Sequence, residues 1–184
     1  MTLFSRLRIR ARILRLNRKP GLQIHNSTYL GKGVLIQTAS DGIFFGGQIV
    51  ISPGVALSDG VILATYGGRI EIGANVFIGP YCVLYGHGGL TIGPNTMIGA
   101  HTVIVPANHG FERADVPMNV QPLTKKGIAI AENVWIGSGC KILDGSKIGP
   151  GSIIGAGSVV TKDIAASSVA FGVPAVTVRS RGAK

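Results

Sequence analysis

An aliphatic side chain returns at every sixth position through the C-terminal part of the chain. The clearest series is Ile130, Ile136, Ile142, Ile148, Ile154 and Val160. Four residues after each of these comes a small or aliphatic residue, in the series Val134, Cys140, Ser146, Ser152, Ser158 and Ile164. The same beat runs upstream through Ile72, Ile78, Leu84, Ile92, Ile98 and Ile104, and more weakly through Ile24, Leu30 and Ile36. Strands of a β-sandwich recur about every 8 to 12 residues, which is too long for this repeat. The six-residue repeat therefore indicates a triangular β-helix in which both series of residues point inward.

The residues between the hexads suit the corners of such a triangle. Glycine, asparagine or aspartate follows each short strand, as in the segment from Ile72 to Asn75, and these residues tolerate the positive φ that a tight corner needs. Three hexads then form one coil. Glycine pairs at 46–47, 67–68 and 88–89 mark successive turns about 21 residues apart, so these coils are predicted to be slightly enlarged.

The composition fits one thin, repetitive domain. The chain has 184 residues, of which 46% are hydrophobic, 28 are glycine and only 6% are aromatic, so small and β-branched side chains must build the core. Cys82 and Cys140 have no spacing typical of zinc ligands, and we expect buried free thiols and no metal. The sequence has no run of 18 apolar residues that could span a membrane, and arginines interrupt the apolar part of any secretory signal. A cytoplasmic location is therefore predicted.

One long segment breaks the repeat. The six-residue repeat is absent between Ile104 and Ile128. The inserted loop, about residues 105–127, is polar and contains prolines. An insertion of this length in an otherwise strict solenoid is usually functional.

The C-terminal repeats resemble a known family. The segments 134–137, 148–164 and 172–175 are similar to the signature of hexapeptide-repeat acetyltransferases, such as the galactoside, maltose and polysaccharide O-acetyltransferases. The resemblance implies an all-β, left-handed parallel β-helix over residues 22–178, with a basic extension at 1–21 and a tail at 179–184. It also implies a homotrimer with active sites between neighbouring subunits, acetyl-CoA as the acyl donor and a carbohydrate acceptor.

The resemblance places His109, in the inserted loop, at the position of the catalytic histidine. An imidazole titrates near neutrality and can take a proton from a sugar hydroxyl that attacks a thioester, although a histidine that only caps a loop is the alternative. Asn108 is expected to hold the backbone of His109 and to lie at the acceptor site. Glu112 or Asp115 would orient the imidazole, or both acids are ordinary solvated loop residues.

Further site residues follow from the same resemblance. Trp135 and His87 are expected at the acceptor site, together with Tyr85, although a structural role for the tryptophan and an exposed turn position for the histidine remain open. The positions that match contacts to CoA in the family are Ser138, Gly155, Ala156, Thr161 and Lys162. Many relatives carry a basic residue where this chain has Val176, so Arg179 or Arg181 is expected to meet the nucleotide phosphates.

The basic extension holds seven of the ten excess positive charges, and the rest of the chain is only mildly basic, which argues against nucleic-acid binding. As a helix it would place Leu7, Ala11 and Leu14 on one face and arginines on another. Residues 4–19 would then suit contact with an anionic membrane, which places the protein at the inner face of the membrane. A strand and a solvated or trimer-packing extension are equally compatible with the pattern.

Three functions follow in order of preference. The first is O-acetylation of a sugar hydroxyl in the synthesis of a cell-surface polysaccharide or glycolipid. N-acylation of an amino sugar nucleotide would use the same base and donor. The third is a non-catalytic trimeric scaffold or a metal-binding β-helix, for which the sequence offers few suitably spaced histidines.

Overall fold

The computed structural model describes residues 3–38 and 46–182, which form a three-sided prism of parallel strands. Sheet A contains β1 (Leu22–Ile24), β4 (Gln48–Ile51), β7 (Arg69–Ile72), β10 (Leu90–Ile92), β15 (Ile128–Ile130) and β18 (Lys147–Ile148). Sheet B contains β2 (Tyr29–Leu30), β5 (Ala56–Leu57), β8 (Phe77–Ile78), β11 (Met97–Ile98), β16 (Trp135–Ile136), β19 (Ile153–Ile154), β21 (Ser168–Gly172) and β22 (Ala175–Ser180). Sheet C contains β3 (Leu35–Gln37), β6 (Ile62–Ala64), β9 (Val83–Tyr85), β12 (Val103–Val105), β17 (Lys141–Leu143) and β20 (Val159–Val160). Since the chain visits A, B and C in turn six times, the predicted β-helix of hexapeptide repeats is confirmed.

The two inward columns form the core, as the six-residue beat predicted. In the first column Ile136, Ile142 and Val160 are fully buried, and in the second column Cys140 and Ser152 are equally inaccessible. Both cysteines are free and buried. Residues of successive coils pair in register, so each buried side chain rests on its counterpart one coil away.

The corners use positive φ, and not only at glycine and asparagine. Between sheets A and B the predicted asparagines adopt φ values of 58° at Asn75 and 55° at Asn133. At the corner between sheets B and C, however, Tyr81 and His101 have φ values of 57° and 59°. These two conformations were not predicted from the sequence, because bulky residues seldom adopt positive φ.

The corner between sheets C and A is where the coils differ in length. The register places Ile49 opposite Ile70 and Ile70 opposite Leu90, so these coils are enlarged, as the glycine pairs predicted. The extra residues lie at this corner, because the steps along the chain from sheet A to sheet B and from sheet B to sheet C keep the same length in every coil. The inserted loop leaves the prism at the same corner, between β12 and β15.

The inserted loop has its own internal structure. At its base β13 (Asn108–His109) pairs antiparallel with β14 (Leu123–Thr124). A short 3-10 helix spans Met118–Val120. The amide of Gln121, which is only 9% exposed, donates to the carbonyl oxygens of Arg113 (2.9 Å) and Val116 (2.8 Å) and accepts from the Arg113 N–H. Gln121 therefore closes the loop on itself.

Helix α1 (Leu3–Leu16) covers the first coil. Ile13 is fully buried in the core, with Ile9 and Leu16 packed beside it. The Arg12 guanidinium donates to the carbonyl oxygens of Gly31 and Val34, so this arginine serves packing and not solvent contact. The extension is thus a helix and not a strand. Its predicted apolar face of Leu7, Ala11 and Leu14 points outward, and the packing face was missed.

The other end of the prism is closed by a hairpin. Strand β21 pairs parallel with β19 on one side and antiparallel with β22 on the other, and β22 continues past residue 178. The turn between them contains a cis peptide bond before Pro174.

Two threonines join the coils on either side of the inserted loop. The Thr96 hydroxyl donates to the Ala131 carbonyl (3.0 Å) and accepts from the Val134 N–H (3.2 Å), and Thr102 donates to the Gly137 carbonyl (3.2 Å). Both side chains are fully buried. These hydroxyls hold the repeat in register where the chain makes its longest excursion.

Replacing Thr96 by valine should lower the free energy of unfolding by about 2 kcal/mol, because a buried N–H and a buried carbonyl lose a partner. Urea denaturation followed by circular dichroism measures the change. The matched control is Thr91→Val on the exposed side of sheet A, which should change stability by less than about 0.5 kcal/mol. Equal effects of the two substitutions would contradict the role of the Thr96 hydroxyl.

Candidate active site

His109 lies at the base of the inserted loop, in the two-residue strand β13. It pairs with Leu123, and the neighbouring Asn108 pairs with Thr124, so the hairpin backbone fixes the histidine. Both side chains of β13 are exposed. An accessible imidazole on a backbone held by pairing can approach a ligand that lies outside this chain.

A cluster of aromatic rings lies next to His109 at the corner between sheets C and A. The ring of His87 stacks on Tyr66, with centroids 4.4 Å apart and planes 9° apart. Tyr85 contacts both rings edge-on, at 4.8 Å from Tyr66 and 5.7 Å from His87. The structure thus groups the predicted residues Tyr85 and His87. It adds Tyr66, which the sequence analysis missed because a tyrosine with φ of 46° breaks no periodic pattern.

Burial and neighbouring charge set the protonation of this cluster. The pKa of His87 is lowered, first by its partial burial and then by the positive charge of Lys125 and by His109. The pKa of Tyr85 is raised by burial and by a hydrogen bond with Tyr66. At neutral pH both groups are therefore uncharged, and they offer neutral hydrogen-bonding atoms beside the exposed imidazole.

The two acidic candidates for orienting His109 differ in their contacts. The carboxylate of Asp115 accepts from the Arg113 guanidinium (2.6 Å and 3.3 Å), and this pairing lowers the pKa of Asp115. Both side chains are exposed, but Asp115 is paired with Arg113, whereas Glu112 makes no ion pair among the described residues. Of the two, Glu112 is the better placed to remain available.

The corner between sheets B and C has a bare surface in the last two coils. Ser138, Gly155 and Ala156 lie here, and the Gly157 N–H donates to the Ser138 carbonyl (2.9 Å). A Cβ atom added to Gly139 or Gly157 would meet nothing within 4 Å. Lower on the same corner the rings of Tyr81 and His101 stack with centroids 5.4 Å apart. The small residues leave an open path in which an extended ligand could lie against the backbone.

Trp135 borders this path on the outer face of sheet B. Trp135 is 52% exposed, and its neighbours in the same ladder, Met97 and Phe77, are 49% and 44% exposed. Arg179 lies in β22 at the upper edge of the same sheet, opposite Val169. Arg181 instead donates to the Gly151 carbonyl (3.0 Å) at the corner between sheets A and B. Arg179 thus lies on sheet B itself, whereas Arg181 contacts the corner between sheets A and B.

The predicted residues therefore fall into two groups on one prism. The first group, on sheet B and its corner with sheet C, consists of Trp135, Ser138, Gly155, Ala156 and Arg179. The second group, at the corner between sheets C and A, consists of Tyr85, His87, Asn108, His109, Thr161 and Lys162. Sheet C separates the two groups, so the chain does not assemble them into one pocket.

Neither a metal-ligand cluster nor a membrane-spanning helix is found among the described residues. Within residues 3–38 and 46–182 no cluster of three or more histidine, cysteine, aspartate or glutamate side chains could hold a metal ion. In the same part of the chain, none of the helices has the length and apolarity needed to cross a membrane.

The repeats match a known family. The profile described as "Bacterial transferase hexapeptide (six repeats)" matches residues 69–106 and 127–162. Nodulation protein L of Rhizobium meliloti is 42% identical over 112 residues, which are 60% of this chain and 59% of the relative. Galactoside O-acetyltransferase of Lactococcus lactis is 36% identical over 117 residues, which are 63% of this chain and 56% of the relative. The chain thus spans somewhat more than half the length of these curated relatives.

Solved structures share the fold. An N-acyltransferase from Bacillus cereus, in complex with dTDP-4-amino-4,6-dideoxyglucose and coenzyme A, superposes with a TM-score of 0.75 at 22% identity, over 94% of this chain and 90% of that one. A hexapeptide-repeat acetyltransferase of Vibrio cholerae, complexed with acetyl-CoA, gives a TM-score of 0.64 at 25% identity, over 96% and 82% of the two chains.

Replacing Lys125 by glutamine should raise the pKa of His87, because a nearby positive charge that disfavours the imidazolium is removed. NMR titration of the histidine rings measures the shift. Since the folded-state pKa of His87 lies below its ordinary value of 6.5, His87 lowers stability as pH falls through that value, and the substitution should weaken this loss.

The matched control is Lys126→Gln, because the side chain of Lys126 lies against Gly145 and is not a cause of the His87 shift. An identical His87 titration in wild type and the Lys125→Gln variant would refute the electrostatic contact.

Proposed function

Because this chain is a hexapeptide-repeat protein of the bacterial transferase type, we propose that it transfers an acetyl group from acetyl-CoA to a sugar hydroxyl. The observation that carries the proposal is the exposed His109, held by strand pairing at the only large insertion in the described repeats and flanked by neutral aromatic groups. The relative named as galactoside O-acetyltransferase supports transfer to oxygen.

In the proposed reaction His109 acts as a general base. Its unprotonated ring nitrogen takes the proton of the acceptor hydroxyl while the hydroxyl oxygen forms a bond to the thioester carbonyl carbon. The C–S bond then breaks, and the imidazolium returns the proton to the leaving thiolate, which gives free CoA and the acetyl ester. No covalent acyl-enzyme is needed, and backbone amides of the loop stabilise the oxyanion.

The bare corner between sheets B and C is the proposed path of the pantetheine arm. Gly139 and Gly157 have open space where a side chain would lie, so a narrow chain can approach the backbone beside Ser138 and Ala156. Arg179, on sheet B, supplies positive charge for the nucleotide phosphates, and Lys162, at the corner between sheets C and A, would reach them from a neighbouring copy of the chain.

A homotrimer would bring the two groups of site residues together. Sheet C separates them in one chain, but the sheet B side of one copy can face the loop corner of the next copy. Three copies around an axis close such head-to-tail contacts into a ring, so each chain would contribute half of two active sites. The separation on one prism is the observation that favours this assembly.

The proposed acceptor is a carbohydrate of a cell-surface polysaccharide or glycolipid. The exposed indole of Trp135 suits the apolar face of a sugar ring, and Tyr85 and His87 offer neutral hydrogen-bonding atoms for its hydroxyls. Acylation of an amino sugar is the second candidate, since the Bacillus cereus structure with a similar fold is an N-acyltransferase. A cytoplasmic location remains a prediction from the sequence.

Replacing His109 by alanine should reduce kcat by roughly 10²- to 10⁴-fold, because the general base is lost, while acetyl-CoA binding should persist. Release of the CoA thiol measures turnover on a panel of hydroxyl and amino sugars, and calorimetry measures binding. The matched control, His25→Ala, removes an imidazole on the first coil whose hydrogen bonds within the described residues go to Ser27.

Unchanged turnover in the His109→Ala variant would overturn the proposed base. Faster transfer to amino than to hydroxyl acceptors would show that the reaction is N-acylation and not O-acetylation. Absence of acetyl-CoA binding to the wild-type protein would favour the non-catalytic scaffold.

Replacing Ala156 by leucine should raise KM for acetyl-CoA about tenfold, because the larger side chain fills the open corner, with a smaller effect on kcat. Steady-state kinetics with varied acetyl-CoA separates the two constants. Ala166→Leu, at an exposed corner between sheets A and B, should leave both constants unchanged. An unchanged KM in the Ala156→Leu variant would show that the pantetheine arm does not pass Ala156.

A further inference from the structure

Helix α1 carries two apolar faces, and the prism uses only one of them. Ile9, Ile13 and Leu16 pack on the first coil. Leu7 and Leu14 lie on the opposite face, where they are 53% and 59% exposed. With Ala11 between them, they follow the i, i+4, i+7 spacing of a continuous helical stripe. The outward stripe has no packing function within the described chain.

Basic residues flank the outward stripe on both sides. At 100° per residue, Arg10 lies along one side of the stripe, while Arg8 and Arg15 lie along the other, and all three are exposed. The sequence contains no acidic residue before Asp41, so no carboxylate of the helix neutralises them. Arg12 faces the prism instead. An apolar stripe with a basic margin is complementary to the apolar interior and anionic surface of a lipid bilayer.

We propose that the outer face of α1, formed by Leu7, Arg8, Arg10, Ala11, Leu14 and Arg15, docks on an anionic membrane. Because α1 covers the first coil, docking places the prism end-on on the bilayer. His109 lies three coils higher, which at about 4.8 Å per coil is roughly 14 Å above the first coil. The helix adds about 10 Å, so the loop would lie within reach of a glycan attached to a lipid.

The test measures binding to vesicles in the absence of acetyl-CoA, so that it does not depend on transferase activity. The 184-residue protein should cosediment with vesicles of equal parts phosphatidylcholine and phosphatidylglycerol, and not with pure phosphatidylcholine. Arg8→Gln with Arg15→Gln should weaken binding on the order of twentyfold, at about fivefold per charge. Leu7→Gln with Leu14→Gln should weaken it at least tenfold, since the stripe no longer enters the apolar layer.

The matched control is Lys126→Gln with Lys147→Gln, which removes two charges from coils far from α1 and should leave vesicle binding unchanged. Circular dichroism should show unaltered melting for all variants, because each replaced side chain is exposed. Equal binding to both vesicle types would overturn the proposal. So would tighter binding to polyuridine RNA than to the vesicles, or a smaller assembly in sedimentation when Leu7 and Leu14 are replaced.

Discussion

Backbone hydrogen bonds between parallel strands join each coil of the prism to the next and fix the register of the two coils. A shift of one residue would turn the aliphatic columns outward and expose the core on that side. The chain therefore adds residues only at corners, where no ladder is broken. Thr96 and Thr102 show this constraint most clearly, because their hydroxyls join coils that are separated by the inserted loop.

The tolerance of the corners explains where the candidate site residues lie. The longer coils and the inserted loop all depart from the same corner, between sheets C and A, so variation in the chain accumulates along one edge. In repeat proteins such an edge is often the binding surface. His87 and His109 both lie there, although the sequence separates them by a complete coil.

The sequence predicted the parts of the structure that periodicity controls. The inward columns, the free buried cysteines and the limits of the inserted loop followed from the spacing of residues such as Ile104 and Ile128. Periodicity carries no information about the conformation of Tyr66, Tyr81 or His101, whose positive φ depends on the coil beneath. It also could not distinguish the buried from the exposed stripe of α1, because both have helical spacing. The division of the site residues between two edges depends on corner lengths that only the folded chain reveals.

The two ends of the prism are terminated in different ways. Helix α1 covers one end, and at the other the antiparallel strand β22 occupies the outer side of β21 in sheet B. A parallel stack with bare ends would offer its unpaired N–H and C=O groups to another copy and could elongate into a fibre. With the first coil covered and sheet B closed in this way, end-to-end stacking through these surfaces is disfavoured, and the flanks of the prism are the surfaces left for contact with ligands or other copies.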